Sequence, residues 1–477
     1  MSRIRTPCHL SKNDFILLQS RFTIITLLAW SCWLYGYVFH LGARAEGRKE
    51  PLVSPQFLFF SDLKCLADPQ GKKLYGIGYE YMWDKSKPAD QATLGPVKNI
   101  LTCWNLDTGQ CEQVKVSVGR WLAFQAISPD GSKMLLSSVD IDQVLKLQKE
   151  LGEKAQIAML GEKTLLISAP DLQTVHCWDC PVVAREDVWK EFMFFVGNQR
   201  VASLIVHSQD RKRQSGYTLS FWNLEGQSRE EARVPLPGLD NYLVLRVEVA
   251  GPQGLVMLAC ESNPDAAGKA AYYLLRYDLR QRMVSCSTRL GEVQQEALGL
   301  VGNPPAVSVV GWDRDRNRAL IEVEDSVQLW EFGKRIAIIA PPRDFRQEVV
   351  PVARIAADGK YVAFVSTRVV LYDVEKKEYR VVDTRIEDII QAWENPPPFS
   401  DLSMVVNHPM LAPLMPIAKK MMRWRYVEFL GNGERLVGVT TYGKAVVWDV
   451  KRGKILTSFR MAETGLDEKL QRILGLD

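Results

Sequence analysis

Histidine is the scarcest chemically versatile residue in this chain: five in 477, at positions 9, 40, 176, 207 and 408. So few imidazoles leave little material for a Ser/His/Asp triad or a histidine-rich metal centre. The sequence also lacks a G-x-S-x-G elbow, a Walker A loop, an H-E-x-x-H helix and a Rossmann fingerprint. Gly76-Ile77-Gly78 has neither the third glycine nor the helix that a dinucleotide site needs. No cofactor, no metal and no catalytic residue is expected on this basis. An excess of one charge is missing as well. The formal +4 resides in residues 1–45, where Arg3, Arg5, Lys12, Arg21 and Arg44 face only Asp14, so residues 46–477 are neutral. A nucleic-acid binder normally shows a basic face, so no nucleic-acid partner is expected. Arg211-Lys212-Arg213 and Lys419-Lys420 with Arg423 and Arg425 read as solvated loops.

Cysteine is used unevenly. Seven of the nine follow Ala45, and an odd number leaves at least one thiol unpaired within that stretch. Cys103 and Cys111 flank the turn at 105–109 and could face each other on adjacent strands, which would allow a disulfide. Cys177-Trp178-Asp179-Cys180 has C-x-x-C spacing, but no βαβ pattern surrounds it and no second pair completes a zinc site. Cys177 reads instead as an inward-facing core residue.

What the chain does contain is a repeat. Seven times an aromatic residue is followed by Asp, Asn or Glu at the end of an apolar strand: Trp104-Asn105, Trp178-Asp179, Trp222-Asn223, Tyr277-Asp278, Trp330-Glu331, Tyr372-Asp373 and Trp448-Asp449. The third residue before the aromatic is always apolar, and the one just before it is apolar except for Arg276. That alternation is the pattern of a strand with one buried face. Upstream of each pair lies an apolar hairpin, clearest at Phe124–Leu136 around the turn Ser128-Pro129-Asp130-Gly131. Asp-Gly and Asn-Gly between alternating apolar runs are strong hairpin signals. Each unit therefore reads as four antiparallel strands, a to d, with the pair ending strand c. Such a sheet cannot bury both faces alone, but a ring of seven can. The expected fold class is all-β: a seven-bladed β-propeller of four-stranded antiparallel blades over residues 55–460, preceded by an N-terminal hydrophobic helix. Trp312-Asp313 also reads WD but falls at an a–b turn. Blade seven is expected to carry its own outer strand at 454–459, with Phe57–Phe60 adding a strand near the closure point.

These pairs and turns resemble the WD-repeat β-propeller family, and the turns at 128–131 and 357–360 resemble the repeats of Tol-type bacterial propellers. The family often places a Gly-His pair before strand a, and no histidine here follows a glycine. The resemblance implies a divergent seven-bladed propeller, and one such fold hosts many functions.

The pairs are unevenly spaced: 74, 44, 55, 53, 42 and 76 residues apart, against about 40–45 in a compact WD blade. The first long step contains Asp140–Leu151, which reads as an amphipathic helix with Asp140 as N-cap. The last contains a Pro/Met-rich insertion over 387–422. Long loops in compact domains are often functional, and methionine makes a soft, adaptable surface. Met404, His408, Met410, Leu414, Met415, Met421 and Met422 are therefore the candidate partner-binding residues. Residues 461–477 read as a tail with a surface helix.

A basic segment (1–21) precedes 20 residues, Phe22–Leu41, without a single Lys, Arg, Asp or Glu, followed by a linker over 42–54. At about 1.5 Å per residue this run matches a bilayer core of about 30 Å. The expectation is a single-pass signal anchor that holds a monomeric propeller outside the cytoplasm. Ala43-Arg44-Ala45 offers the alternative of cleavage and release. The function expected is a non-catalytic scaffold that binds protein partners. The alternative is a propeller enzyme, lactonase-like hydrolase or dehydrogenase, with a dispersed site at the central channel.

Overall fold

Period-2 apolar patterning commits each segment to a strand with one face turned toward a neighbour. In the computed structural model, which describes residues 64–83, 94–140, 163–179, 188–209, 213–225, 230–250, 254–262, 269–294, 307–313, 317–323, 326–339, 352–409, 411–461 and 468–476, these strands pair into seven four-stranded antiparallel sheets. Every sheet follows plain sequence order. The blades cover 64–118, 120–179, 188–235, 242–294, 307–339, 352–383 and 424–460. First strands of neighbouring blades pack side by side, so strand a of each blade faces the central axis and strand d the rim. The chain is a seven-bladed β-propeller.

The aromatic–acid pair has two separable jobs. Its acid or amide closes the c–d turn. Asn105 Oδ1 accepts the backbone N–H groups of Asp107 and Thr108 at 2.9 and 3.1 Å, and Asp278 Oδ1 those of Arg280 and Gln281 at 2.8 and 2.9 Å. Asn223, Asp373 and Asp449 accept in the same manner. Only a short side chain can loop back onto its own turn. Glu331 is too long for this; it reaches Lys334 instead, across a turn that Gly333 completes at φ 93°. Asp278→Ala is expected to lose about 1–2 kcal/mol, two net hydrogen bonds' worth, and Asp278→Asn almost nothing. Urea denaturation of both variants checks this.

The aromatic member faces the preceding blade. Tyr277 donates its hydroxyl to Pro237 O (3.2 Å), Trp448 Nε1 donates to Asp383 Oδ2 (3.3 Å), and Trp222 sits edge-on to Trp178 with centroids 6.2 Å apart. The residue before the aromatic faces the following blade, which explains the exception at Arg276. Its guanidinium lies 4.7 Å over the Phe332 ring and donates to Asn317 Oδ1 (3.0 Å), both in blade 5.

Closure of the ring is noncovalent. Blade 7 carries its own outer strand, Ile455–Arg460, as expected. Trp104 of blade 1 stacks on Phe459 at 5.5 Å, Arg435 bonds Asp107 (2.6 Å) and Gly71 O (2.7 Å), and Tyr426 accepts the Ala67 N–H (2.9 Å). Ala67, Leu74, Trp104 and Leu106 share one buried cluster with Leu430, Val437, Ala445 and Val447.

Four expectations are corrected. In blade 2 the pair Trp178-Asp179 ends the fourth strand, Thr174–Asp179, and not the third, Lys163–Ser168. Ile167-Ser168 holds the usual place of the pair, and Asp171 accepts the Gln173 N–H at that turn. Cys177 is consequently exposed, not a core cysteine. Cys103 and Cys111 are both free. Cys111 lies opposite Trp104 and Cys103 opposite Gln113, so the two thiols point to opposite faces of the sheet. Asp140 ends a strand, Lys133–Asp140; the rest of the helix expected there, like residues 1–54, Phe57–Phe60 and Cys180, lies outside the described residues. Among the described residues no helix is long and apolar enough to cross a membrane.

Candidate functional site

The insertion between blades 6 and 7 folds into a helical cap. Its first helix, α1 (Arg385–Glu394), begins two residues before the expected boundary. Ile386, Ile389 and Trp393 recur at helical spacing and are all buried. They join Val369, Leu371, Trp424, Tyr442 and Trp448 in the core shared by blades 6 and 7. Pro396-Pro397-Pro398 follows the helix, because the residue before a proline leaves the α region. Helix α2 (Asp401–Val406) starts at Ser400, whose Oγ accepts the Ser403 N–H. A 3-10 turn (Ala412–Leu414) then leads into α3 (Met415–Met421). Ion pairs pin the cap: Arg368 to Glu387 at 3.1 Å and Lys419 to Glu394 at 3.4 Å.

The C-terminal tail is part of the same unit. Helix α4 (Glu468–Ile473) brings Leu474 O within 3.0 Å of Trp393 Nε1. Leu476 is fully buried in the cap core, and Arg460 donates to both Gln471 and Leu476 O. The tail is docked on the cap and is not a bare surface helix.

The seven candidate partner-binding residues are not brought onto one surface. Met404 is 62% exposed on α2, and His408 is exposed just beyond it. Leu414, Met415 and Met421 are half-buried, and Met415 packs against the cap core. Met422, 2% exposed, belongs to the core itself and presents nothing to a partner. Met410 lies outside the described residues. Sequence reasoning missed the most exposed large hydrophobic of the cap: Phe399 is 99% exposed, at φ 60°. A large aromatic beside three prolines and a helix N-cap was the available signal.

The second candidate is the central channel. Arg246 of blade 4 donates to Val309 O (2.6 Å) and pairs with Glu248 (2.9 Å). Arg354 of blade 6 donates to Val310 O (3.1 Å) and pairs with Glu428 of blade 7 (3.2 Å). Each arginine thus ties its strand to the backbone of blade 5 while neutralising a carboxylate. Arg354 and Glu428, both on strands a, keep 30% and 35% of their side-chain surface. The surrounding protein still raises the Glu428 carboxyl above the ordinary carboxylate range, chiefly by desolvation; Arg354 and Arg246 oppose the rise and Glu248 adds to it. Nearby thiols and phenols are held protonated, Cys65 and Tyr426 by burial above all. Among the described residues no group of three or more His, Cys, Asp or Glu could hold a metal ion.

The Glu428 shift has a signed consequence. A folded-state pKa above the unfolded one means that the ionised group costs stability at neutral pH, a cost relieved as pH falls through the raised value. Glu428→Gln is therefore expected to be as stable as the wild type or more so at pH 7. It should also flatten the pH dependence of stability just above the ordinary carboxylate range. Denaturation midpoints across pH check this; a variant less stable at pH 7 contradicts it.

No known protein-family pattern matches the chain, and neither does any curated protein. Among solved structures it is similar to the β-propeller domain of Myceliophteria thermophila Cps50 (Swd1), at 10% identity, covering 86% of this chain and 97% of that one, with a TM-score of 0.40. It is similar also to the C-terminal WD40 domain of Sif2, at 11% identity, covering 86% and 90%, with a TM-score of 0.38. Both are likenesses of fold. The blades themselves make this chain a seven-bladed propeller. Six of seven third strands end in the aromatic–acid pair, and in five of them its acid or amide closes the turn that follows.

Proposed function

We propose that this protein is a non-catalytic interaction scaffold: a propeller held at a membrane by residues 22–41, outside the cytoplasm, that binds protein partners. One observation carries the reading. The cap is locked into the core by Trp393, Met422 and Leu476, yet it turns the outer face of α2 to solvent, with Asp401 and Met404 exposed on it and Asn407 and His408 exposed just beyond its end. A rigid element with an exposed methionine amid polar groups suits an apolar anchor with a polar rim. The channel supports the same reading, because its arginines are engaged with carboxylates and backbone carbonyls of neighbouring blades. Mild detergent extraction of the full chain from its native membrane tests this. The expected result is co-purification with another protein at a fixed ratio; a chain that purifies alone in every mild detergent contradicts it.

A further inference from the structure

Antiparallel strands place the a–b and c–d turns on one face of the ring and the b–c and d–a connections on the other. The cap is a d–a connection, and the tail leaves the end of a strand d. Lys64 begins strand a of blade 1, Lys64–Ala67, which packs beside strand a of blade 7, Trp424–Leu430. The chain that precedes Lys64 therefore arrives on the cap's own face, one blade away. Residues 42–63 connect this point to the apolar run. Twenty-two residues reach at most about 75 Å.

The cap's exposed surface divides by chemistry. Helix α2 shows the mixed face described above. Helix α1 and its end expose Asp388, Gln391, Glu394 and Asn395, whereas the segment after α2 exposes Ala412, Pro413, Pro416 and Ile417 at helical spacing and ends in Lys420, and Phe399 stands exposed beyond the prolines. An apolar helix face ending in lysine is the composition of an element that lies in a membrane interface, and Phe399 is a second exposed apolar side chain of the same cap. Phe399 holds a positive φ, which bulky residues rarely adopt.

We propose that this second surface, Phe399 with the outer face of the Ala412–Met421 segment, seats in the headgroup–acyl boundary of a bilayer, fixing the cap against the membrane while α2 stays open to a protein. The inference rests on the anchor reading of residues 22–41 for its geometry.

The test uses the full chain reconstituted in phosphatidylcholine vesicles containing one-fifth phosphatidylserine. Photoreactive benzoylphenylalanine replaces Phe399, Ile417 or, on the opposite face, Lys451. Lipid adducts are counted by mass spectrometry, and part of each sample is washed with alkaline carbonate. The expected result is at least tenfold more lipid adduct at 399 and 417 than at 451. Equal or absent labelling at 399 and 417 overturns the proposal. The carbonate wash separates the two readings. A chain that resists the wash without labelling at the cap refutes the docking alone. A chain that washes off after labelling at the cap refutes the anchor alone. One that washes off unlabelled refutes both.

Discussion

Trp393→Ala is expected to destabilise the protein by about 3–5 kcal/mol, the range for removing a buried large aromatic. The side chain is 2% exposed and lies among Ile386, Ile389, Trp424 and Leu476. Its loss opens a cavity where the cap, the tail and blades 6 and 7 meet. It also strips Leu474 O of the Nε1 donor that it accepts at 3.0 Å, and an orphaned buried carbonyl costs about 1–3 kcal/mol on its own. Trp393→Phe should retain most of the packing and lose only the hydrogen bond. Equilibrium urea unfolding measures both variants, and limited proteolysis adds a local readout, because the alanine variant should be cut in the tail well before the wild type. A loss below about 1 kcal/mol with an uncut tail would show that the tail does not depend on the cap, since buried Trp sites do not normally give so small a value.

Trp104→Ala should cost a comparable amount, about 3–5 kcal/mol, through a different part of the molecule. Blade 1 and blade 7 are contiguous stretches of chain that meet only through side chains and a few hydrogen bonds. Trp104 supplies the largest of these contacts by stacking on Phe459. Removing it should loosen the closure selectively. Backbone amides of Leu74 and Val437 would then exchange with solvent faster than those of Leu320 or Phe364, which sit in a cluster between blades 5 and 6. Arg435→Ala should act in the same direction and more weakly, because its ion pair with Asp107 is partly exposed. Uniform acceleration throughout the protein would mean that closure is no weaker than any other blade interface.

Strands and their turns were legible because both are local. An apolar residue at every second position marks a strand without reference to anything distant, and Asp278 announces the turn that it closes two and three residues later. The same locality explains the error in blade 2. A strand c and a strand d look alike over six residues, so the letters of Trp178-Asp179 read as the end of a third strand, whereas only the pairing with Lys163–Ser168 shows that it is the outer strand. Cys177 was misplaced for the same reason. The cap was legible as an interruption but not as a structure. Its core depends on contacts such as Trp393 to Leu474, 81 residues apart, and composition gave no sign of them. Counting methionines in the insertion therefore mixed Met422, which holds the fold together, with Met404, which faces solvent.

Deleting residues 387–422 would remove Ile389, Trp393 and Met422 from the core, so loss of binding in that variant would only report loss of fold. The direct measurement keeps the cap and changes its outer face. Wild type and Met404→Asp/His408→Asp full chains, first shown to unfold at the same urea concentration, are used for quantitative capture of partners from the native membrane. The account predicts that at least one protein held at a fixed ratio by the wild type falls at least tenfold with the variant, while capture through an unrelated surface does not change. Identical partner sets from the two chains would contradict it.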